Sequence, residues 1–274
     1  MFELDYMELV NTVIKQGSPR ESRAGDTRYV FGTKLVIGDL RIGKFPILTT
    51  RKMYPKGIWG ELAAFLQGAT TLQEFQDLGC NYWNANASSW GANRGLSEER
   101  MLVGKIYGAQ WRDFNGVDQI DGLYYSLKNE PHSRRHLLTT YNPAELGMGC
   151  LPPCHLLAQF NVTNDLELEC IVYMRSVDLC IGLPTDIVLY ASLLIVMSEW
   201  LGFEPGRLIF MMGDTHVYED HVPIWLTQHA FRARHKLPSY TYKAELQGAN
   251  NFHPRQFKLE DYTHDTAIEY PFHA

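Results

Sequence analysis

Cysteine is scarce in this chain of 274 residues, which holds only Cys80, Cys150, Cys154, Cys170 and Cys180. An odd and widely spaced set excludes a small disulfide-stabilised scaffold and favours reduced thiols in the cytoplasm. The first ten residues lack a basic segment followed by an apolar one, so no signal peptide is expected. The most apolar stretch, residues 187–203, is interrupted by serines, a glutamate and a glycine, and we expect no membrane span.

A large excess of charge of one sign is also lacking. The chain has 31 acidic and 25 basic residues, a formal charge of −6. A nucleic-acid surface is normally basic, so no obligatory nucleic-acid partner is expected. This charge balance does not exclude a local cluster of arginines around a small anion. Linkers, low-complexity tracts and repeats are missing as well. Because 45% of the residues are apolar, residues 1–274 are predicted to form one domain.

The spacing of apolar residues and of turn residues predicts an α+β fold. Helices are expected at residues 4–14, 57–67, 71–78, 119–128 and 187–201, the last apolar nearly all round and therefore buried. Strands are expected at residues 29–31, 34–37, 137–141, 156–162, 166–174 and 208–212, with Gly32 separating the first two. Residues 84–99 are predicted to be irregular. The result is a mixed or largely antiparallel sheet packed around a central helix.

One cysteine stands out, in the segment LPPCH at residues 151–155. Pro152 and Pro153 restrict the backbone, so Cys154 is presented by a stiff turn next to a strand. A thiolate there is a strong nucleophile if a nearby positive charge lowers its pKa. A buried structural cysteine is the alternative. A metal site with Cys150 and His155 lacks a second ligand pair, so no metal is expected.

Polar residues also gather where strands are predicted to end. Arg175 offers a planar fork for a phosphate or carboxylate, and Ser176 adds a hydroxyl donor. Asp186 opens the buried helix and reads, taken alone, as a helix N-cap. His216 and Tyr218 place an imidazole and a phenol two residues apart, in what is otherwise a solvated loop.

Together these segments are more specific than any one of them. Their order and spacing resemble the thymidylate synthase family from about residue 21 to residue 218, through the motifs RESRAGDT, ELAAFLQG, IYGAQWR, SRRH, LPPCH, YMRSVDLCIGLPTDI and GDTHVY. The resemblance implies that Cys154 attacks C6 of a pyrimidine nucleotide. It also implies that C5 then takes a one-carbon unit from 5,10-methylenetetrahydrofolate.

The resemblance assigns roles to further residues. The phosphate would be bound by Arg23, Arg175 and Ser176, and by Arg134 and Arg135 of the neighbouring subunit, which implies a homodimer. These arginines would also favour a thiolate at Cys154. Other matched positions are His216 and Tyr218 for the sugar hydroxyl, Glu61 as general acid/base, Tyr107 for proton abstraction, and Trp83, Asp178 and Gly182 for folate, with Asp178 also beside the nucleotide.

One departure from the family pattern concerns the base. The synthase has an asparagine where this chain has Asp186, and an amide can accept from uracil N3–H while donating to O4. An ionised carboxylate only accepts, which suits the N4 amino group of cytosine. This predicts dCMP as substrate, and resembles the deoxycytidylate hydroxymethylase branch; Ser176 favours dCMP over CMP.

Three further departures concern the fate of the transferred carbon. Asn86 replaces the second tryptophan of the family's WxxW pair, Tyr54 replaces a folate-side histidine, and His273 lies in an altered C-terminal tail. A smaller polar side chain makes room for water, which favours 5-hydroxymethyl-dCMP as product. A dCMP or dUMP methyltransferase of the same fold is the alternative. A catalytically idle nucleotide- or RNA-binding regulator is the alternative from another class.

Overall fold

The computed structural model describes residues 2–95, 101–243 and 249–273, without the side chains of residues 39, 42 and 250. Its α-helices in chain order are α1 (Phe2–Gln16), α2 (Pro55–Gln67), α3 (Leu72–Asp77), α4 (Asn84–Ala92), α5 (Tyr107–Arg112), α6 (Gln119–Asn129), α7 (Gly182–Leu201) and the short α8 (His221–Ile224), which continues as a π-helical turn to His229.

The strands are β1 (Ser18–Arg20), β2 (Thr27–Asp39), β3 (Leu137–Thr139), β4 (His155–Val162), β5 (Glu167–Asp178), β6 (Glu204–Tyr218), β7 (Ser239–Tyr242) and β8 (Phe257–Glu260). Six of them form the main sheet in the order β1-β2-β6-β5-β4-β3, and β7 pairs with β8 separately. Neighbours in the main sheet are antiparallel except β5 and β6, which run parallel because α7 connects them as a crossover. The predicted α+β class with a mixed sheet is confirmed.

The two helices nearest the site form for reasons visible in the sequence. Helix α2 begins at Pro55, which suits a first helical turn, and ends at Gly68, whose φ of 72° is the left-handed conformation that glycine adopts easily. Helix α7 buries fourteen of its residues against β5, β6 and α2. It is long and apolar enough to cross a membrane by composition, but 78% of that window is buried inside the protein.

The main sheet has one face covered by helices and one face open. On the open face, Phe31 of β2, Ile171 and Tyr173 of β5 and Met211 of β6 are all exposed. Their strand neighbours Val172 and Phe210 point the other way and are fully buried in the core. Successive side chains of a strand point to opposite faces of the sheet, and in these strands both faces carry apolar side chains.

Several expectations for local structure are wrong. Gly32 does not separate two strands, because β6 pairs with β2 on both sides of it. Residues 84–92 form α4, so the irregular stretch begins later, and residues 96–99 of it lie outside the described residues. Helix α5 was not predicted. Asp186 is no N-cap: Ile181 caps α7, and Asp186 lies inside it.

Two polar segments expected just after strands lie within them instead. Arg175 and Ser176 belong to β5, which continues to Asp178. His216 and Tyr218 belong to β6 rather than to a solvated loop. Because β5 and β6 pair in parallel up to these positions, the polar groups of both strands reach the same end of the sheet.

Candidate active site

The turn that carries Cys154 is fixed by an arginine from the neighbouring strand. Arg175 donates from Nε to the Pro153 carbonyl (2.7 Å) and from Nη2 to the Pro152 carbonyl (3.0 Å). Both acceptors precede Cys154 directly, and the same Nη2 lies 3.9 Å from the Cys154 Sγ. The two prolines thus supply carbonyl groups that hold the guanidinium beside the sulfur.

Within a single chain, the pKa of the Cys154 thiol is raised rather than lowered. Burial raises the pKa of Cys154, and the nearby Asp186 adds to this, while Arg175 and a contact with Tyr107 act in the opposite direction. Within this one chain Arg175 is the arginine that lowers the pKa of the thiol. The contribution expected from the other three arginines stays a prediction, since further positive charge near the sulfur would favour the thiolate.

The side chains of Tyr107 and His155 pack next to the turn that carries Cys154. The Tyr107 hydroxyl accepts a hydrogen bond from the Cys154 backbone N–H (2.9 Å). The His155 ring stacks on Tyr107 at 3.8 Å between centroids, and its Nδ1 lies 2.6 Å from the Tyr190 hydroxyl. Burial lowers the pKa of His155 to about 3, so this imidazole is neutral.

Asp186 lies in α7, with its side chain close to His155. Its Oδ1 lies 3.8 Å from the Nε2 of His155, a contact that is not an ion pair because His155 is uncharged. Burial, and then the charges of Glu61 and Asp178, raise the pKa of Asp186 well above its usual range. The raised pKa favours the protonated carboxyl group, which can donate as well as accept. The expectation that Asp186 accepts from the N4 amino group of cytosine stays a prediction.

Glu61 is the second perturbed carboxyl group. It is buried in α2 and accepts a hydrogen bond from the Trp83 indole N–H (2.8 Å). Burial raises its pKa to about 7, against the opposing effect of that hydrogen bond. A group that titrates near neutral pH can both take up and release a proton. Asn86 is buried three residues after Trp83.

The ends of β5 and β6 bring three more predicted residues together. In the sheet register Ser176 lies opposite Asp214, and Asp178 opposite His216. His216 Nδ1 is 2.9 Å from Asp214. Asp178 accepts from the backbone N–H groups of Cys180 (2.8 Å) and Ile181 (3.1 Å).

The charge of Asp178 is stabilised by a histidine that the sequence did not single out. Burial opposes ionisation of Asp178, but His221, whose Nδ1 lies 3.7 Å away, and the Cys180 N–H outweigh it and lower the pKa of Asp178. Gly182 follows at the start of α7, where a side chain would meet the Asp178 Cβ at 3.9 Å.

Tyr218 contacts the C-terminal tail, and Arg23 lies in a loop near it. Arg23 is exposed in the loop between β1 and β2. Burial raises the pKa of Tyr218 to about 12, and the charge of Arg23 opposes this effect, which places the two side chains near each other. The ring of His273 stacks on Tyr218 at 4.0 Å.

Arg134 and Arg135 are not brought to the site by their own chain. Both are exposed in the loop between α6 and β3, where Arg135 has one contact, 3.8 Å from Glu130. Within the described ranges no hydrogen bond or ion pair joins either arginine to the residues around Cys154.

Two tyrosine rings are exposed near the start of α2. Tyr54 directly precedes this helix, and the Tyr82 hydroxyl donates to its carbonyl (3.3 Å). Gly57 leaves room for Tyr82, since a Cβ there would lie 2.7 Å from that hydroxyl. Trp83 is buried beside Glu61. The folate contacts expected of Tyr54 and Trp83 stay predictions.

A metal could reach two groups of side chains near the tail. Asp178, Cys180 and His221 place one ligand atom each within 4.8 Å of one another, and Asp220, His221 and His273 do the same. Because the Nε2 of His221 lies 2.7 Å from the Pro271 carbonyl, a protein acceptor already occupies it. The absence of a resident metal stays a prediction.

Sequence reasoning overlooked His155 as a partner of Asp186, together with Tyr190, Tyr82 and His221. A signal existed for His155, which directly follows Cys154, and for His221, five residues after His216. Nothing in the sequence indicated Tyr190, whose contact with His155 spans 35 residues.

Comparison with known proteins supports the resemblance. The family profile described as thymidylate synthase matches residues 4–274. The chain is 37% identical over 284 residues to the bifunctional dihydrofolate reductase-thymidylate synthase of Leishmania major, covering 97% of this chain and 54% of the relative. It is 37% identical over 235 residues to thymidylate synthase 1/2 of Encephalitozoon cuniculi (80% and 79% covered). It is 36% identical over 286 residues to the thymidylate synthase of Equine herpesvirus 2 (97% and 96%).

The chain spans about half the length of the bifunctional relatives and nearly the whole of the viral one. Members of this family transfer a one-carbon unit to a pyrimidine nucleotide, use 5,10-methylenetetrahydrofolate as co-substrate and are typically dimeric. The match covers almost all of the sequence, including every motif described above. The chain therefore belongs to the thymidylate synthase family.

Proposed function

We propose that this protein converts dCMP to 5-hydroxymethyl-dCMP, with release of tetrahydrofolate. The observation that carries the proposal is Asp186, a carboxyl group near Cys154 and Glu61 whose pKa is raised well above its usual range, where the synthase has an asparagine. The residue roles that follow are part of the proposal.

The protonated acid matches the edge of cytosine. Its O–H donates to N3, and its other oxygen accepts from the N4 amino group. Attack of Cys154 at C6 makes N3 more basic, and the proton can then pass from Asp186 to N3. The O4 atom of uracil is a far weaker base, so the same transfer would not follow with dUMP. His155 is a neutral neighbour that holds Asp186 without adding charge.

The remaining steps use groups already in place. Arg175 and Ser176 bind the phosphate, and the phosphate-bound arginines support the thiolate of Cys154. The co-substrate 5,10-methylenetetrahydrofolate supplies the one-carbon unit in either reaction, and a hydride in methylation only. Trp83, Tyr54, Asp178 and Gly182 would hold it.

Glu61 and Asn86 favour water over hydride at the last step. Glu61, with its pKa near 7, takes a proton from the water that attacks the exocyclic methylene of the nucleotide. Asn86 provides a polar side chain where an indole would exclude water. C5 loses its proton through Tyr107 as tetrahydrofolate leaves and the exocyclic methylene forms. The oxygen of the attacking water then becomes the new hydroxyl group, and the electron pair returned to C5 re-forms the C5–C6 double bond and expels Cys154 from C6.

Product analysis tests the proposal. The full chain is incubated with 5,10-methylenetetrahydrofolate and with dCMP, CMP or dUMP in parallel, and the nucleotides are identified by mass spectrometry. Hydroxymethyl-dCMP without the near-ultraviolet rise from dihydrofolate is expected. Methylated product with that rise would contradict it.

Methylation of dUMP is the second candidate, because relatives with matching chains are named thymidylate synthase. The mass spectra of the nucleotides and the near-ultraviolet absorbance distinguish methylation of dUMP from hydroxymethylation of dCMP. A regulator that binds nucleotide or RNA without turnover would give no product and no exchange of the C5 proton. The net charge of −6 and the intact set of Cys154, Glu61, Tyr107 and Arg175 speak against it.

Asn86→Trp is expected to shift product from hydroxymethyl toward methyl, or to slow the reaction, because the indole displaces the attacking water. Ala85→Trp is the matched control, since Ala85 is exposed on the same helix. The ratio of the two products is measured by mass spectrometry. An unchanged ratio at an unchanged rate for Asn86→Trp would show that water enters elsewhere.

The open face of the sheet supports a homodimer that shares its sites. Phe31, Ile171, Tyr173 and Met211 leave an apolar surface that a second copy would cover. Among the residues that the structure describes, no hydrogen bond or ion pair joins Arg134 or Arg135 to the site of their own chain, as expected if they complete the phosphate site of the partner.

Arg134→Ala and Arg135→Ala are expected to weaken nucleotide binding about tenfold or more each, because a charge-assisted contact is lost. Arg255→Ala, at an exposed arginine elsewhere, should have no effect. Mixing the Arg134/Arg135 double mutant with Cys154→Ser tests the sharing. One working site per heterodimer would restore roughly a quarter of the parent activity. No recovery after verified subunit exchange would count against shared sites.

A further inference from the structure

The imidazole ring of His155 lies between two side chains of α7. Asp186 and Tyr190 are four residues apart in this helix, so they project from the same helix face, one turn from each other. The His155 Nδ1 lies 2.6 Å from the Tyr190 hydroxyl, and its Nε2 lies 3.8 Å from Oδ1 of Asp186. One ring nitrogen therefore faces a hydroxyl group, and the other faces the carboxyl group.

The orientation of this ring is fixed by its packing. It stacks on Tyr107 with 3.8 Å between centroids and 9° between the planes. It also meets the Tyr190 ring edge-on, at 5.2 Å and 89°. Both His155 and Tyr190 are buried. Because the imidazole is held on its flat side and at its edge, each nitrogen keeps the partner described above.

The contact at Nδ1 determines which nitrogen carries the proton. Burial lowers the pKa of His155 to about 3, so the ring is neutral and has a single N–H. Burial raises the pKa of Tyr190 well above its usual range, so its hydroxyl keeps a proton to donate. Among the described residues, Nδ1 of His155 is the one hydrogen-bond partner of that hydroxyl. Donation from Tyr190 to Nδ1 satisfies both groups, whereas the reverse would leave the buried hydroxyl proton without an acceptor.

The other nitrogen then carries the N–H that faces Asp186. An Nε2 without a proton would be an acceptor, and it would compete with the nucleotide for the O–H of Asp186. An Nε2 that carries the proton cannot accept. It offers a donor instead, and such a contact becomes stronger when the carboxyl group is charged.

We propose that Tyr190 is a positioning residue that fixes the Nε2–H tautomer of His155. In this tautomer the imidazole leaves the proton of Asp186 to the base of the nucleotide, and it donates to the carboxylate that forms when this proton is given away. The inference rests on the proton transfer by Asp186 in the proposed function. Because the carboxylate forms only after Cys154 has added to the base, the effect of Tyr190 belongs to kcat rather than to nucleotide binding.

Nuclear magnetic resonance tests the tautomer directly, in the full chain without nucleotide. The protein is prepared with isotope-labelled histidine, and long-range proton–nitrogen correlations show which ring nitrogen of each neutral histidine carries the proton. The signals of His155 are those that are lost in His155→Gln and in His155→Asn. We expect Nε2–H in the parent protein. Tyr190→Phe keeps the ring and removes the donor, so a mixture of both tautomers is expected there.

Kinetics with the nucleotide that the parent protein turns over is the second measurement. Tyr190→Phe should lower kcat about three- to tenfold, the value of one hydrogen bond, and change the nucleotide Kd less than about twofold. In an Asp186→Asn background it should have no further effect on kcat, because an amide has no acid proton to transfer. Tyr6→Phe is the matched control. It removes a buried hydroxyl that donates to the Leu179 carbonyl (2.9 Å), and the His155 tautomer and kcat should stay at the parent values.

Two results would overturn the proposal. One is an Nδ1–H tautomer of His155 in the parent protein, which needs no variant at Tyr190 and so decides even if Tyr190→Phe does not fold. The other is an equal loss of kcat on Tyr190→Phe in the parent and in the Asp186→Asn background, since a side chain that only supports packing acts on both alike. A parent that prefers dUMP contradicts the proposed function instead, and it leaves the measured tautomer unaffected.

Discussion

Cys154→Ser is expected to reduce turnover by about a thousandfold or more while nucleotide binding is largely retained. The sulfur lies 3.9 Å from the guanidinium of Arg175, and in the proposed function the phosphate and base are bound by other side chains. A serine hydroxyl is a far weaker nucleophile than a thiolate at neutral pH, and one arginine cannot ionise it.

The matched control is Cys150→Ser, four residues earlier in the same segment. Burial raises the pKa of Cys150 to about 12, so it has no thiolate to offer, and the control should retain activity. Nucleotide Kd by calorimetry and kcat by product formation separate binding from chemistry. Appreciable turnover by Cys154→Ser would remove Cys154 as the nucleophile.

Asp186→Asn is expected to move substrate preference from dCMP toward dUMP. The amide donates to O4 and accepts from N3–H, so it satisfies uracil but cannot give cytosine N3 a proton. An unpaired buried polar group costs about 1–3 kcal/mol, which is about ten- to a hundredfold in affinity. The effect on rate should be larger, because N3 needs its proton most after Cys154 has added.

The measurement is kcat/KM for both nucleotides in the parent and in the variant. Asp165→Asn removes an exposed carboxylate in the turn between β4 and β5, and should leave both values unchanged. A parent that already prefers dUMP would make the cytosine assignment wrong. So would a ratio that does not move toward dUMP in Asp186→Asn.

The parts predicted correctly depend on short stretches of sequence. Gly68 ends α2 because a left-handed residue is needed there, and a window of apolar residues is enough to reveal α7. The family motifs predicted that Arg175 lies near Cys154. The pairing of β4 with β5 brings these two residues together.

The parts that failed depend on contacts between distant residues. Gly32 has a positive φ of 84°, a local signal for a break, yet Phe31 and Thr33 both pair with β6 and keep the strand continuous. Asp186 has the side chain of an N-cap, but α7 begins four residues earlier.

The ionisation states of the site could not be predicted either. Burial controls the charge of Glu61, His155 and Asp186, and burial is a property of the assembled protein. His273 contacts Asp220, which is 53 residues away in the sequence, and the Ala24 carbonyl, which is 249 residues away. No local stretch of sequence contains either pair of residues. The single-domain organisation of residues 1–274 and the cytoplasmic location stay predictions.

The pairing of β2 with β6 also determines when this protein can fold during its synthesis. Strand β2 ends at residue 39, and its main partner does not begin until residue 204. At about 5–20 residues per second, a ribosome needs on the order of ten seconds or more to supply β6. During that interval β2 has an unpaired edge and an exposed Phe31, which makes the nascent chain a target for chaperones and for other nascent chains.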